Sequence, residues 1–329
     1  KGRCNHIDHQ RNNEDTIEFL NRINFNDNNR GNNNSNGDSN IIKREDNISL
    51  LDKNYKEIEN LDVFLNSNDN DSGDGKNNFV KIPSDVQEDL NILNDLIKDN
   101  ERLFKLRGGY SILLNALNNN SNIECRPTMD MDLDLFIESN KLEDILNQIT
   151  TNMNKRGYEI TTKITRENQL KLKVKNTKTN KILNFDISPK YYTKNTSYEN
   201  KKENNDGLIY SVNELLNEKV NLKLDLTDRR FKDLVDSMNL IFIGYPNGIT
   251  KKDINKIIKI DKEKALNFIK KENYNSILLQ ISKFKPKELN NLSMNDYCKA
   301  FFNLINGLLD NSVYDDTLFK NGQFNKYNR

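Results

Sequence analysis

Residues Arg126–Ile137 read RPTMDMDLDLFI, with Asp130, Asp132 and Asp134 alternating with Met131, Leu133 and Leu135. A period of two is the pattern of a strand with one buried face, so the three carboxylates share a face at steps of about 7 Å. Aspartate is a poor strand former, and like charges along one face repel. A bound cation is the compensation such a row calls for. Upstream, LFKLR (103–107) reads as a short strand running into Gly108-Gly109, and YSILLNALN (110–118) as a short helix. A Gly-Gly at a strand-to-helix turn lets backbone approach a phosphate closely, and the helix N-terminus favours an anion. Ser111 offers a hydroxyl contact beside it.

Working outward, the neighbouring segments complete a small mixed α/β sheet. PSDVQEDLNILNDLIKDN carries Ser84 and Gln87 as a capping box, then Val86, Leu90, Leu93 and Ile97 on one helical face. KLEDILNQITTNMNKRG (141–157) is an amphipathic helix closed by Gly157. YEITTKIT, LKLKVK and KILNFDI alternate like strands, the last two joined by NTKTN. The predicted order over 82–206 is helix–strand–helix–strand–helix–strand–strand–strand. From 207 to 329 the apolar spacing is near 3.6, in SVNELLNEKVNLKL, DRRFKDLVDSMNLIFI, TKKDINKIIK, KEKALNFIKK, YNSILLQI and SMNDYCKAFFNLINGLL. Thr250 with Asp253 and Ser293 with Asp296 mark two helix starts. The expectation is α+β: a mixed sheet with a helical bundle packed on it.

Residues 1–81 read differently. NDNNRGNNNSNGDSN (26–40) and NSNDNDSGDGKNN (66–78) are polar, low-complexity tracts that cannot bury enough apolar surface to fold alone. One helix is expected between them, at 48–65. The DNDSGDG segment lacks the offsets and closing Glu of a calcium loop. The first residue is Lys1 rather than Met, which reads as a fragment or processed chain, and no basic-then-apolar leader precedes the body.

Composition removes several functions. The 329 residues carry 50 Lys+Arg and 49 Asp+Glu, a net charge of +1, so any electrostatic argument must be local. No apolar run approaches the roughly 18 residues of a membrane span. Cys4, Cys125 and Cys298 lie far apart without a CxxC pair, which fits a reducing, cytoplasmic setting. The histidines are His6 and His9, both in the tail, so the body has none for a Ser-His-Asp or Cys-His site. Carboxylates and lysines must carry any chemistry. Asp186, in LNFDIS, sits on a strand expected in the same sheet and could join Asp130 and Asp132. Three carboxylates holding two divalent cations are the minimal equipment for in-line phosphoryl transfer.

Gly-Gly, a nearby Ser, D-x-D and a distant strand Asp together resemble the polymerase-β-like nucleotidyltransferases. RGGYSILL, RPTMDMDL and LKLDLTDRRFKDLVDSMNLI look more specifically like the AbiEii-type branch, toxins of type IV toxin–antitoxin systems. The resemblance covers about residues 100–240. It implies two Mg²⁺ ions, or Mn²⁺, on Asp130, Asp132 and Asp186, with Gly108, Gly109 and Ser111 at the nucleotide. Its R-x-T-x-D-x-D pattern sets Arg126 and Thr128 before Asp130 and Asp132 and leaves Asp134 as an accessory or surface charge. The residues alone leave 130/132 and 132/134 both open as the metal pair.

The helical K…R…KD…D segment of that branch maps to Lys219 or Lys223, Arg229 or Arg230, Lys232, Asp233 and Asp236. Lys223 fits the pattern better and would hold triphosphate oxygens with Arg230 and Lys232. Asp233 and Asp236 would position those bases or, alternatively, form buried ion pairs between the helical half and the sheet. The implied partners are an NTP, an RNA such as a tRNA 3′ end, and an antitoxin protein, with no membrane. Residues 251–271 hold eight lysines against three acidic residues and could follow a phosphate backbone, although lysine is common throughout the chain. The expected activity is metal-dependent transfer of NMP from an NTP to an acceptor hydroxyl. Other readings keep the fold with a small-molecule or protein acceptor, a poly(A)-type tail, or a non-catalytic nucleotide-binding module.

Overall fold

The period-two and period-3.6 segments fold as their spacing dictates. Helix α1 (Ser84–Ile97) is followed by strand β1 (Phe104–Arg107), helix α2 (Gly108–Asn118) and strand β2 (Asp130–Ile137). Helix α3 (Leu142–Lys155) leads to strands β3 (Tyr158–Ile164), β4 (Leu170–Asn176) and β5 (Ile182–Tyr191). In this computed structural model the described residues are 84–164, 169–192, 208–227, 230–283 and 288–309, with the backbone of 319–320 and 323–324. The tail expected over 1–81, its helix at 48–65, Cys4, His6, His9 and Arg229 lie outside them. So does the Ser84 side chain, and with it the capping box expected there.

The five strands form a mixed sheet in the order β1-β2-β5-β4-β3. Only the β2–β5 pair is parallel; its crossover passes through α3, β3 and β4. Met131, Leu133, Leu135, Leu172, Val174, Phe185 and Ile187 fill one face, buried under Leu90, Leu93 and Ile97 of α1 and Ile149 and Met153 of α3. Each such side chain contributes about 2 kcal/mol on burial. The opposite face carries the polar residues of the alternation. Gly157, at φ +90°, ends the α3 run in a left-handed conformation that a side chain would resist.

The C-terminal region is helical: α4 (Val212–Lys223), α5 (Phe231–Gly244), α6 (Lys251–Ile257), α7 (Lys262–Phe268), α8 (Lys271–Ser282) and α9 (Met294–Leu309). Ser211 and Glu214 make a capping box at α4, and Thr250 caps α6 through the Asp253 amide. The expected Ser293–Asp296 pair forms at α9, each backbone amide bonded to the other side chain. A second apolar core, built on Leu215, Leu216, Leu234, Met238, Phe268 and Phe301, fills this half, and Ile112 and Ala116 of α2 belong to it. Helix α2 therefore joins both cores, with Tyr110 and Leu114 in the sheet core. The short hairpin β6 (Glu288–Leu289) and β7 (Leu292–Ser293) turns through Asn290 and Asn291, both at positive φ. No helix among the described residues is long and apolar enough to cross a membrane.

Candidate functional site

Register places the carboxylates. Asp132 lies directly beside Asp186 in the parallel β2–β5 pair, and Asp130 lies beside Asn184. Adjacent strands are about 4.8 Å apart and alternate residues share a face, so Asp130, Asp132 and Asp186 form one open triangle. Asp130 is exposed, and Asp132 and Asp186 are half-buried. Burial pushes the Asp132 carboxyl above the usual carboxylate range and the Asp186 charge adds to that, while Arg107, Lys219 and Lys232 oppose it.

Asp134 faces the same side but is engaged. It is 4% exposed, accepts a hydrogen bond from Tyr210 Oη at 2.6 Å, and pairs with Arg107 Nε at 3.1 Å. The expectation of an accessory or surface charge needs correction: Asp134 is a buried anchor between β1, β2 and the segment entering α4. The open pair is then Asp130 and Asp132.

Gly108 and Gly109 start α2 beside these carboxylates. Gly108 has φ +73°, and a β-carbon there would stand 2.0 Å from Asp132 Oδ2. A β-carbon on Gly109 would meet Thr128 Oγ1 at 2.6 Å. Both positions exclude a side chain, so the start of α2 packs closely against Asp132 and Thr128. Ser111 is placed differently from expectation. It is fully buried and donates to the Gly108 carbonyl at 2.8 Å, which locks the turn rather than facing outward. Tyr110 is also turned inward, its hydroxyl donating to buried Asp89.

The basic groups come from α4 and α5. Lys219 Nζ lies 2.7 Å from Asp233 and 3.3 Å from Asp236, and all three are buried. Burial pulls the Lys219 pKa down, but Asp236 and Asp233 more than offset it, so the ammonium stays charged. Arg126 grips Asp236 with two bonds of 2.8 and 3.0 Å. That fork ties the segment preceding β2 to α5, and Glu124 in the same segment exchanges two bonds with the Asn290 side chain. Arg230 pairs with Asp233 at 3.6 Å, and Lys232 is exposed. Lys223, which the sequence pattern favoured over Lys219, is fully buried with its ammonium 5.8 Å from the Phe268 ring centre. It belongs to the helical core, and of the two lysines on α4 it is Lys219 whose charge reaches Asp132.

Two residues escaped the sequence reading. Arg107 pairs in register with Asp132, is the strongest cationic influence on its carboxyl, and donates to Ser188 Oγ at 2.9 Å. Glu218 stands 3.9 Å from Arg107, its carboxyl raised first by burial. Arg107 carried a signal, since it directly precedes Gly-Gly on a strand antiparallel to β2. Glu218 carried none beyond adjacency to Lys219.

The donor set suits a hard divalent ion, which takes carboxylate oxygens. The side-chain positions are not those of a closed cage: among the described residues no three His, Cys, Asp or Glu side chains converge as metal ligands. Lys171 Nζ instead lies 3.4 Å from Asp186 Oδ2 as its counter-charge. A cavity of about 460 Å³ opens elsewhere, between α1 and β3–β4, lined by Glu88, Asp95 and Tyr158 among others.

No protein-family model matches this chain, and no curated protein matches it. Among solved structures it is similar to the crystal structure of JHP933 from Helicobacter pylori, at 12% identity and a TM-score of 0.42. That likeness covers 69% of this chain and 93% of the other.

Proposed function

We propose that the chain is a metal-dependent nucleotidyltransferase that moves NMP from an NTP to an acceptor hydroxyl. The observation that carries this reading is the adjacency of Asp132 to both Asp186 and the side-chain-excluding Gly108 turn. Carboxylates able to hold cations and a helix N-terminus able to hold phosphate thereby stand within one strand spacing of each other. The AbiEii-type resemblance, a cytoplasmic setting and an antitoxin partner belong to the same proposal.

Asp130, Asp132 and Asp186 would hold Mg²⁺ or Mn²⁺. When bound, such ions lower the pKa of an attacking hydroxyl and neutralise triphosphate and leaving pyrophosphate. The chain's own groups do the rest. Amides in the first turn of α2 face the phosphates, where helix-end N–H groups lack intrahelical partners. Lys219, Lys232 and Arg107 supply positive charge to the carboxylate corner. Asp233 and Asp236 hold Lys219 charged and in place, and Arg126 couples that pair to the strand carrying Asp130.

The test is incubation with each α-labelled NTP, Mg²⁺ and total RNA, beside an Asp130→Ala/Asp132→Ala double variant. Label entering RNA with the wild type alone supports nucleotidyl transfer and identifies the base. Variant-sensitive label on the protein or a small molecule keeps the chemistry and changes the acceptor. No transfer, with NTP binding unaffected by the double substitution, overturns the catalytic reading.

A further inference from the structure

The open face of the sheet does not end at the carboxylates. Across the strands, register aligns Arg107, Asp132, Asp186, Lys171 and Lys163 in one transverse row. The next row is Asp130, Asn184, Lys173 and Thr161, and the one beyond brings Lys175 between Ile182 and Glu159. Lys163, Lys171 and Lys173 are exposed, and the Lys175 side chain retains 38% exposure. Lys171 pairs with Asp186 and Lys175 with Glu159, whereas Lys163 and Lys173 make no ion pair among the described residues. A negative corner thus passes within two strands, about 10 Å, into a positive strip.

We infer that this β3–β4 face docks the phosphate backbone of single-stranded RNA and leads its end to the carboxylate corner. The inference rests on the nucleotidyl-transfer reading for the identity of that corner. Charge complementarity argues for the occupant: lysines 171, 173 and 175 repeat every second residue along β4, at about 7 Å, close to the step between phosphates in an extended strand. The strip is two strands wide, which suits one polynucleotide strand rather than a duplex. Asn184 and Thr161 flank Lys173 with groups that both donate and accept, the pairing a ribose 2′-hydroxyl needs. The lysines of residues 251–271 make a poorer track. Lys251 is buried, and the others are spread from α6 through α7 to the start of α8 rather than repeating along one strand.

The experiment follows binding of a fluorescent single-stranded oligoribonucleotide by anisotropy across a monovalent salt series. Wild type is compared with Lys163→Ala/Lys173→Ala and with Lys262→Ala/Lys264→Ala, circular dichroism confirming that each folds. Each lost phosphate contact lowers the log–log salt slope by about 0.7, so the sheet variant should lose about 1.4 in slope and bind about ten- to thirty-fold more weakly at about 0.1 M salt. The helix variant should track wild type. An unchanged slope in the sheet variant, or a loss confined to the helix variant, overturns the inference. Equal affinity for DNA of the same sequence, or preference for duplex, overturns the assignment to single-stranded RNA. The assay contains no NTP, so its outcome is separate from that of the labelling experiment. Lysine-dependent RNA binding without label transfer sinks only the catalytic reading. Label transfer to another acceptor with an unchanged slope sinks only this one.

Discussion

Gly108 and Asp132 are in contact that excludes any side chain: a β-carbon on Gly108 would stand 2.0 Å from Asp132 Oδ2, on a backbone at φ +73°. Gly108→Ala therefore suffers both a collision and a left-handed conformation, and should lose at least about 1 kcal/mol of stability together with NMP transfer. Gly109→Ala is different, because its obstacle is Thr128 and its φ is ordinary. Adding Thr128→Gly should restore much of the stability of Gly109→Ala and none of that of Gly108→Ala. Thermal unfolding of the four variants checks this; equal rescue at both glycines would contradict the geometry.

Lys219 and Lys223 are distinguished by their surroundings. Lys219→Met leaves Asp233 and Asp236 buried without their shared cation, and should cost about 3–5 kcal/mol. Lys223→Met removes an ammonium that lies over the Phe268 ring, away from the carboxylate corner, and should leave NTP binding intact. Denaturant unfolding and nucleotide titration separate the two. Loss of NTP binding in Lys223→Met with stability intact would return Lys223 to the site.

The difficulty of that choice from sequence has a simple cause. Residues 219 and 223 are four apart on one helix and share a face, so periodicity cannot separate them. The helix α5 packed alongside separates them, by placing Asp233 and Asp236 against one and not the other. The strand register was more legible. Strict alternation fixed the faces of β2 and β5, which put Asp130, Asp132 and Asp186 on the open side. Asp134 obeys the same alternation, yet its burial depends on Tyr210 and Arg107, from segments 76 and 27 residues away. The direction of Ser111 is not legible in this way, because a serine in the first turn of a helix can turn back on a carbonyl as readily as outward. The β6–β7 hairpin left only Asn290-Asn291 as its trace.

Asp132 sets a pH dependence whose sign follows from its raised carboxyl pKa. The folded state holds that proton more tightly than the unfolded chain. Stability is therefore fullest below the ordinary aspartate value of about 3.9, and declines as pH rises from there through the raised folded value. Above that raised value, without divalent ions, the ionised group is a cost to folding. Asp132→Asn should then melt higher than wild type at pH 7 in chelator, with the gap closing near pH 3 and narrowing when Mg²⁺ is added. A gap that persists at acid pH would mean that the amide stabilises by packing instead.

Asp134 and Asp130 face the same side of β2, but their substitution should have opposite consequences. Asp134 holds Tyr210 and Arg107 in a buried cluster, so Asp134→Asn weakens a charge-assisted pair and should cost about 1–3 kcal/mol. Tyr210→Phe removes one bond of that cluster and should cost about 1 kcal/mol, with less effect on transfer than on stability. Asp130 is exposed at the start of the strand, so Asp130→Asn should leave stability within about 0.5 kcal/mol while label transfer disappears. Parallel unfolding and transfer measurements on the three variants decide which carboxylates serve chemistry. If Asp134→Asn abolishes transfer without loss of stability while Asp130→Asn remains active, the metal pair is 132/134 and the anchoring role assigned to Asp134 is wrong.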